Sequence, residues 1–228
     1  MTVTLITGAN KGLGYETARR LFERGQTVYL GARSVERGEA AAAQLGCPFV
    51  QLDVTDEASV ETALGVIAER EGHLDILVNN AGISSAADVT GPVALKVFDT
   101  NAIGLIRVTQ AALPLLEQSE NPVVVNVSSA LGSFWAVTNP ERRQFHFPSI
   151  VYGSSKAAVS MLTVQYAKTF PGIRFNAVEP GFTATDLTPF SGAGQPVEKG
   201  ADVIVRMATI GTDGPTGTFQ EGEGELAW

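Results

Sequence analysis

Short runs of apolar and β-branched residues alternate along this chain with longer stretches in which apolar positions recur every three or four residues. The runs are VTLIT (3–7), TVYLGA (27–32), PFVQLDV (48–54), LDILVNN (74–80), PVVVNVSS (122–129) and RFNAV (174–178). Between them lie amphipathic stretches: GYETARRLFERG (14–25), SVERGEAAAAQL (34–45), DEASVETALGVIAEREG (56–72), NAIGLIRVTQAALPLLEQ (101–118) and YGSSKAAVSMLTVQYAKTF (152–170). Runs that are almost continuously apolar, rather than alternating, predict strands covered on both faces. The strand–helix rhythm predicts an α/β fold: a doubly wound parallel sheet with helices on both faces. Neither a repeat nor a linker divides the 228 residues, so a single domain over 1–228 is expected. TNPERRQFHFPS (138–149) breaks the rhythm and reads as an irregular loop. The tail GPTGTFQEGEGELAW (214–228) is rich in turn residues around one short strand at GTF (217–219).

Composition narrows the classes of function. A formal net charge of −8 argues against nucleic acid or an anionic membrane as the main partner. An anionic small ligand stays open, because local dipoles bind phosphate whatever the total charge. Cys47 is the only cysteine, and His73 and His146 are the only histidines, so neither an intrachain disulfide nor a metal site is expected. The N-terminal MTVTLITG shows no basic region and no long apolar stretch. The expectation is a cytoplasmic protein with no signal peptide and no membrane span.

TLITGANKGLGYETARRL puts Gly8, Gly12 and Gly14 between the first strand and the first helix, with Asn10, Lys11 and Leu13 among them. Glycine there permits a tight turn and close backbone approach, and a helix N-terminus offers unpaired N–H groups to a pyrophosphate. The spacing is G-x-x-x-G-x-G rather than the usual G-x-G-x-x-G, so a ligand-free turn is an alternative reading of this loop alone. The second strand ends in Arg33, and no carboxylate appears before Glu36. An acidic residue there would favour NAD through the ribose hydroxyls, whereas arginine forms charge-assisted bonds with a 2′-phosphate. Lys11 adds a second positive charge. The expected cofactor is NADP(H), on a Rossmann-type fold.

Seven stretches in order, TGANKGLG, LDV (52–54), NNAG (79–82), TNAIG (100–104), VVNVSS (124–129), YGSSK (152–156) and PGFTATD (180–186), resemble the short-chain dehydrogenase/reductase family. They extend from Thr7 to Asp186. TGANKGLG with ARSVERG is most similar to the carbonyl reductase branch, whose members use NADPH. The resemblance implies that Asp53 and Val54 border the adenine and that Asn80, Ala81 and Gly82 line the adenosine ribose side. It assigns Pro180, Gly181, Thr183 and Thr185 to the nicotinamide, and Asn101, Ser129, Tyr152 and Lys156 to catalysis. Ser129 matches by its place before ALG, leaving Ser128 as a structural neighbour. The expected partner is a small carbonyl or alcohol substrate.

Chemistry gives these residue types a reason. Hydride transfer to a carbonyl builds negative charge on oxygen, which must receive a proton. A free tyrosine, with a pKa of about 10, is poorly matched to neutral pH. The expectation is that the Lys156 ammonium and an oxidised nicotinamide lower the pKa of Tyr152, which then acts as general acid in reduction and general base in oxidation. By family analogy Lys156 also holds the nicotinamide ribose. Ser129 bonds the developing oxyanion and Asn101 holds a water. Read singly, each has a plainer role: Tyr152 with Lys156 as a surface pair, Asn101 as a cap or local backbone bond, the serines as a strand-end turn.

Ser129 and Tyr152 stand 23 positions apart, wider than is common in the family, and the excess falls in 138–149. An insertion there can mask the helix faces used in oligomerisation, so a monomer or homodimer is expected, with a tetramer left open. Arg142 and Arg143 in this loop are solvated charges or contacts for an anionic substrate. Phe134, Trp135, Phe145, Phe147, Phe182 and Phe190 are an apolar substrate mouth or core aromatics, and His146 is structural. Glu179 points to solvent or caps a neighbour. Only 72 residues follow Lys156, too few for a separate substrate domain, which argues against epimerase chemistry. The rivals to reduction are alcohol oxidation with NADP⁺ and a non-catalytic NADPH-binding regulator.

Overall fold

The computed structural model describes residues 1–84, 89–187 and 194–228. All its strands belong to one sheet in the order β3-β2-β1-β4-β5-β6-β7-β8. They are β1 (Val3–Thr7), β2 (Thr27–Ala32), β3 (Phe49–Gln51), β4 (Ile76–Asn79), β5 (Val123–Val127), β6 (Arg174–Val178), β7 (Phe219–Glu221) and β8 (Gly224–Glu225). Every pairing is parallel except the terminal β7–β8 hairpin. The strand order reverses at β1–β4, and a sheet of this kind opens a crevice at the carboxyl ends of those two strands.

The near-continuous apolar strands are explained by two cores, one on each face. Leu5, Leu77, Val124 and Phe175 point to one face, where α3 (Glu57–Glu71), α5 (Gly104–Leu116) and α7 (Ile150–Thr169) cover them. Their neighbours Ile6, Val78, Val125 and Val178 point to the other, under α1 (Gly12–Phe22), α2 (Val35–Leu45) and α8 (Val197–Ala208). Leu5 and Ile6 are both fully buried, each contributing about 1.5–3 kcal/mol of hydrophobic stabilisation. This is the doubly wound sheet that the rhythm of the sequence predicts.

The helix ends follow local chemistry. Asp56 caps α3 by accepting from the Ala58 and Ser59 N–H groups, and Gly72 ends it in the left-handed region. Three helices fall outside the sequence expectations, α4 (Gly91–Phe98), α6 (Phe134–Thr138) and α8. The 138–149 segment is more ordered than an irregular loop: it begins at the end of α6 (Phe134–Thr138) and holds a 3₁₀ turn at Arg143–His146. The strand expected at GTF lies two residues later, as β7. Among the described residues no helix is long and apolar enough to cross a membrane.

Candidate active site

The glycine loop leaves β1 at the crevice. Gly8 has φ +64°, and a Cβ there would come within 3.0 Å of the Ala81 Cα beyond β4. Only glycine permits both the turn and that contact. Asn80 locks the two segments together, its Nδ2 donating to the Thr7 and Gly8 carbonyls at 2.9 and 3.1 Å. The N-cap of α1, Lys11, makes no side-chain capping bond, so among the described residues the first-turn N–H groups of Gly12, Leu13 and Gly14 have no side-chain partner. Arg33 stands exposed at the end of β2, and its guanidinium forms no hydrogen bond among the described residues. Lys11 instead pairs with Asp186 at 2.5 Å, and that ammonium holds the Asp186 carboxyl below its usual range. Asp53 accepts from the Thr55 N–H and hydroxyl, and Val54 beside it is buried.

Opposite the loop, α7 carries Tyr152 and Lys156 one turn apart, as the spacing in YGSSK predicts. The Lys156 side chain is 4% exposed and donates to the Val127 carbonyl at 2.7 Å. Its Nζ lies 3.5 Å from where a Cβ on Gly82 would stand, which ties α7 to the glycine-loop side of the crevice. Ser129 follows β5 and opens a 3₁₀ turn over Ala130–Gly132. A Cβ on Gly132 would meet the Lys156 carbonyl carbon at 2.4 Å, so the turn and α7 touch backbone to backbone. That contact, with the Leu131 carbonyl 2.9 Å from where a Cβ on Gly153 would stand, sets the turn after Ser129 beside Tyr152 despite their separation in sequence.

Asn101 sits in a π-helical turn, Asp99–Ile103, between α4 and α5. Its Oδ1 accepts from the Ile83 N–H at 2.8 Å, and its Nδ2 donates to the Ile83 carbonyl and the Ser155 hydroxyl, both at 2.9 Å. Ser155 in turn donates to the Tyr152 carbonyl at 2.7 Å. Both amide N–H groups are therefore engaged, and Asn101 stitches the 79–83 segment to α7. A water expected here is left the second lone pair of Oδ1. Ser128 is structural as expected, bonding the Lys156 carbonyl and Ser160. A further buried chain links Asn79 to Asn126 and Asn126 to Thr163. Pro180 leads into Gly181, which has φ +77°, and Thr183 bonds the Pro180 and Gly181 carbonyls. Thr185 lies against Gly12, joining this segment to the glycine loop.

The family model for short chain dehydrogenases matches residues 2–195. The chain belongs to the short-chain dehydrogenase/reductase family. It is 33% identical to the (-)-isopiperitenone reductase of Mentha piperita over 298 aligned positions, covering 94% of each chain. Among solved structures it resembles salutaridine reductase from Papaver somniferum, with a TM-score of 0.86 and 29% identity over 96% of this chain and 99% of that one. An NADPH-bound carbonyl reductase from chicken fatty liver is likewise similar, with a TM-score of 0.86 and 27% identity over the whole of both chains. The chain is thus an oxidoreductase-family member with carbonyl reductases among its relatives.

Within this short-chain dehydrogenase/reductase, Lys156 without the oxidised nicotinamide that the expectation counted beside it does not lower the pKa of Tyr152. Its pKa is raised, first by burial and then by the Glu179 carboxylate, with Ser129 only partly opposing. Lys156 does not offset this: its Nζ is 5.7 Å from the centre of the phenol ring and bonded to Val127. Burial lowers its own pKa to about 8. Glu179 does not point to solvent. It is 8% exposed and caps its neighbours, Oε1 accepting from the Gly181 N–H at 3.0 Å and Oε2 from the Ala130 N–H. The signal was its oddity before Pro180-Gly181, a carboxylate where the chain turns along the crevice.

Phe134, Trp135, Phe145, Phe147 and Phe182 are exposed, so they are not core aromatics; Phe190 lies outside the described residues. Arg142 forms a two-pronged ion pair with Glu221, at 3.1 and 2.7 Å, and its guanidinium lies 5.3 Å from the centre of the Trp135 ring. It is therefore neither a free solvated charge nor a free contact for an anionic substrate. Arg143 lies over the Phe182 ring at 6.0 Å, and His146 packs edge-on against Phe145.

Proposed function

We propose that this protein is an NADPH-dependent reductase of an apolar aldehyde, ketone or quinone. The observation that carries this reading is the continuity of the crevice: Gly8 touches Ala81, Gly82 adjoins the Lys156 ammonium, and Ser129 meets Tyr152 on the same side. The donor set suits a phosphorylated dinucleotide. The α1 N-terminus and the Gly8–Gly14 loop would hold a pyrophosphate, Arg33 with Lys11 the 2′-phosphate, and Asp53 and Val54 the adenine. Asn80, Ala81 and Gly82 would line the adenosine ribose, and Pro180, Gly181, Thr183 and Thr185 the nicotinamide.

When bound, the reduced nicotinamide supplies a hydride to the carbonyl carbon. Tyr152 gives its phenolic proton to the carbonyl oxygen, and Ser129 steadies that oxygen as charge develops. Lys156, largely an ammonium at neutral pH, would hold the ribose hydroxyls and, with an oxidised nicotinamide beside it, would favour the tyrosinate left behind. Asn101 keeps α7 in register through Ser155 and leaves one lone pair for a water on the route of reprotonation. The exposed aromatic rim and an overall charge of −8 favour a neutral, apolar substrate.

The test is NADPH oxidation followed at 340 nm across a panel of aldehydes, ketones and quinones. Activity is expected in the unmodified chain and a loss of at least ~10²-fold in kcat for Tyr152→Phe. Near-parental turnover in that variant refutes the assignment, and tight NADPH binding with no turnover by the parent favours a regulator. Arg33→Asp should weaken NADPH about tenfold or more relative to NADH. Equal affinity of the parent for the two cofactors counts against the Arg33 argument.

A further inference from the structure

Lys11 and Asp186 form an ion pair between segments 175 residues apart, with Nζ 2.5 Å from Oδ2. Lys11 belongs to the glycine loop, and Asp186 to the segment beyond Pro180-Gly181, where Thr185 lies against Gly12. A backbone bond sets where the lysine stands. The Ala9 N–H donates to the Gly31 carbonyl at 2.9 Å, so the loop runs beside the end of β2, and Lys11 and Arg33 each follow two residues beyond that junction. The two cations assigned to a ribose 2′-phosphate thus extend from one place but have different commitments. The Arg33 guanidinium forms no hydrogen bond among the described residues, whereas the Lys11 ammonium already holds a carboxylate.

We propose that Asp186 is a specificity-determining residue for the cofactor: its carboxylate occupies the Lys11 ammonium in place of a ribose 2′-phosphate, so that NADPH must displace it and NADH need not. The inference rests on the NADP(H) part of the reductase reading. The two side chains are 57% and 78% exposed, so water weakens their attraction and an incoming anion of higher charge can replace the carboxylate. A phosphate monoester carries about −1.5 to −2 charges at neutral pH, against one on Asp186, and the flexible lysine stem can turn from one to the other. NADH presents a hydroxyl at that position, which does not compete for an ammonium. Arg33 therefore creates the preference for NADPH, and Asp186 trims it.

Dissociation constants of NADPH and NADH, read from the fluorescence of the bound reduced nicotinamide in the full chain without substrate, test this independently of turnover. In Asp186→Asn the ratio of the NADH constant to the NADPH constant should rise about threefold at low salt, through tighter NADPH binding. Asp186→Glu keeps the charge and should stay within ~1.5-fold of the parent. In Lys11→Met the ratio should fall, and adding Asp186→Asn to that variant should move it by less than ~1.5-fold, because the group competed for is gone. In 1 M NaCl, where charges are screened beyond about 3 Å, the effect of Asp186→Asn should shrink. An unchanged ratio in folded Asp186→Asn overturns the proposal, as does an equal rise with and without Lys11. Should the Asn variant fail to fold, Asp186→Ala carries the same expectation. A raised ratio in a chain that reduces no carbonyl upholds the competition and sinks the reductase reading; carbonyl reduction with an unmoved ratio does the reverse. A chain that binds neither cofactor overturns both.

Discussion

On the wall formed by β4, β5 and α7, polar side chains are buried and bonded to one another; on the rim formed by residues 134–149 and 181–187, aromatic rings stand in solvent. Asn79, Asn101, Asn126, Ser128, Ser155 and Thr163 are all nearly inaccessible and all satisfied. Phe134 is 74% exposed and Phe147 56%. A buried polar network is costly unless every member is paired, so it tolerates one arrangement and fixes side chains to within a fraction of an ångström. An exposed apolar rim carries no such demand, and its shape can vary while the chemistry behind it stays the same. Proton transfer needs the first kind of surface and substrate choice the second.

The largest expected effect comes from striking the wall. Lys156→Met should lower kcat by at least ~10²-fold while leaving the thermal midpoint at pH 7 unchanged or raised. The lowering of the Lys156 pKa from 10.5 to about 8 corresponds to a folded-state cost on the order of 3 kcal/mol for keeping the ammonium buried, against about 1 kcal/mol for the lost bond to Val127. The sign has a second consequence. Between about pH 8 and 10.5 the unfolded lysine keeps a proton that the folded one gives up, so its contribution to stability rises with pH across that window. The parent should gain stability relative to Lys156→Met from pH 8 to 10, read by denaturant melts. A midpoint at pH 7 many degrees lower in the variant would show that the ammonium is structural.

A smaller effect is expected at the rim. Arg142→Ala removes the clamp on Glu221 and the stacking on Trp135, half-buried interactions together worth on the order of 1 kcal/mol. The midpoint should fall by about 2–4 °C. KM should rise several-fold with kcat nearly unchanged, because the rim holds substrate and leaves proton transfer alone. An equal fall in kcat would mean that wall and rim are coupled.

The sheet was legible because its strands are buried on both faces, and runs such as VTLIT and RFNAV contain nothing else a chain could do. Ser129, Tyr152 and Lys156 were legible as an ordered set, and the structure brings them together. Of the helices that escaped, α4 and α6 had weak patterns for physical reasons. In α4 only Val97 is fully buried, and Leu95 is largely exposed, so no apolar stripe forms. α8 does carry an apolar stripe, Ala201, Ile204, Val205 and Ala208, but it follows the Gly- and Pro-containing stretch 191–196, which reads as loop. Glu179 was visible as an oddity, but its direction depends on two backbone N–H groups, one 49 residues before it and one two residues after it, which spacing cannot reveal. The same holds for the Tyr152 phenol, whose acidity depends on what is buried beside it.

The π-helical turn at Asp99–Ile103 places one extra residue between two helices that serve different masters. Upstream and downstream of it the helical phase differs by about 100°, so α5 can keep Val108 and Ala112 in the core while Asn101 looks back at Ser155. Removing that residue would force a choice between the asparagine and the packing. The widened turn works as a phase adjuster, letting the interior of the fold drift under mutation without dragging the asparagine out of alignment.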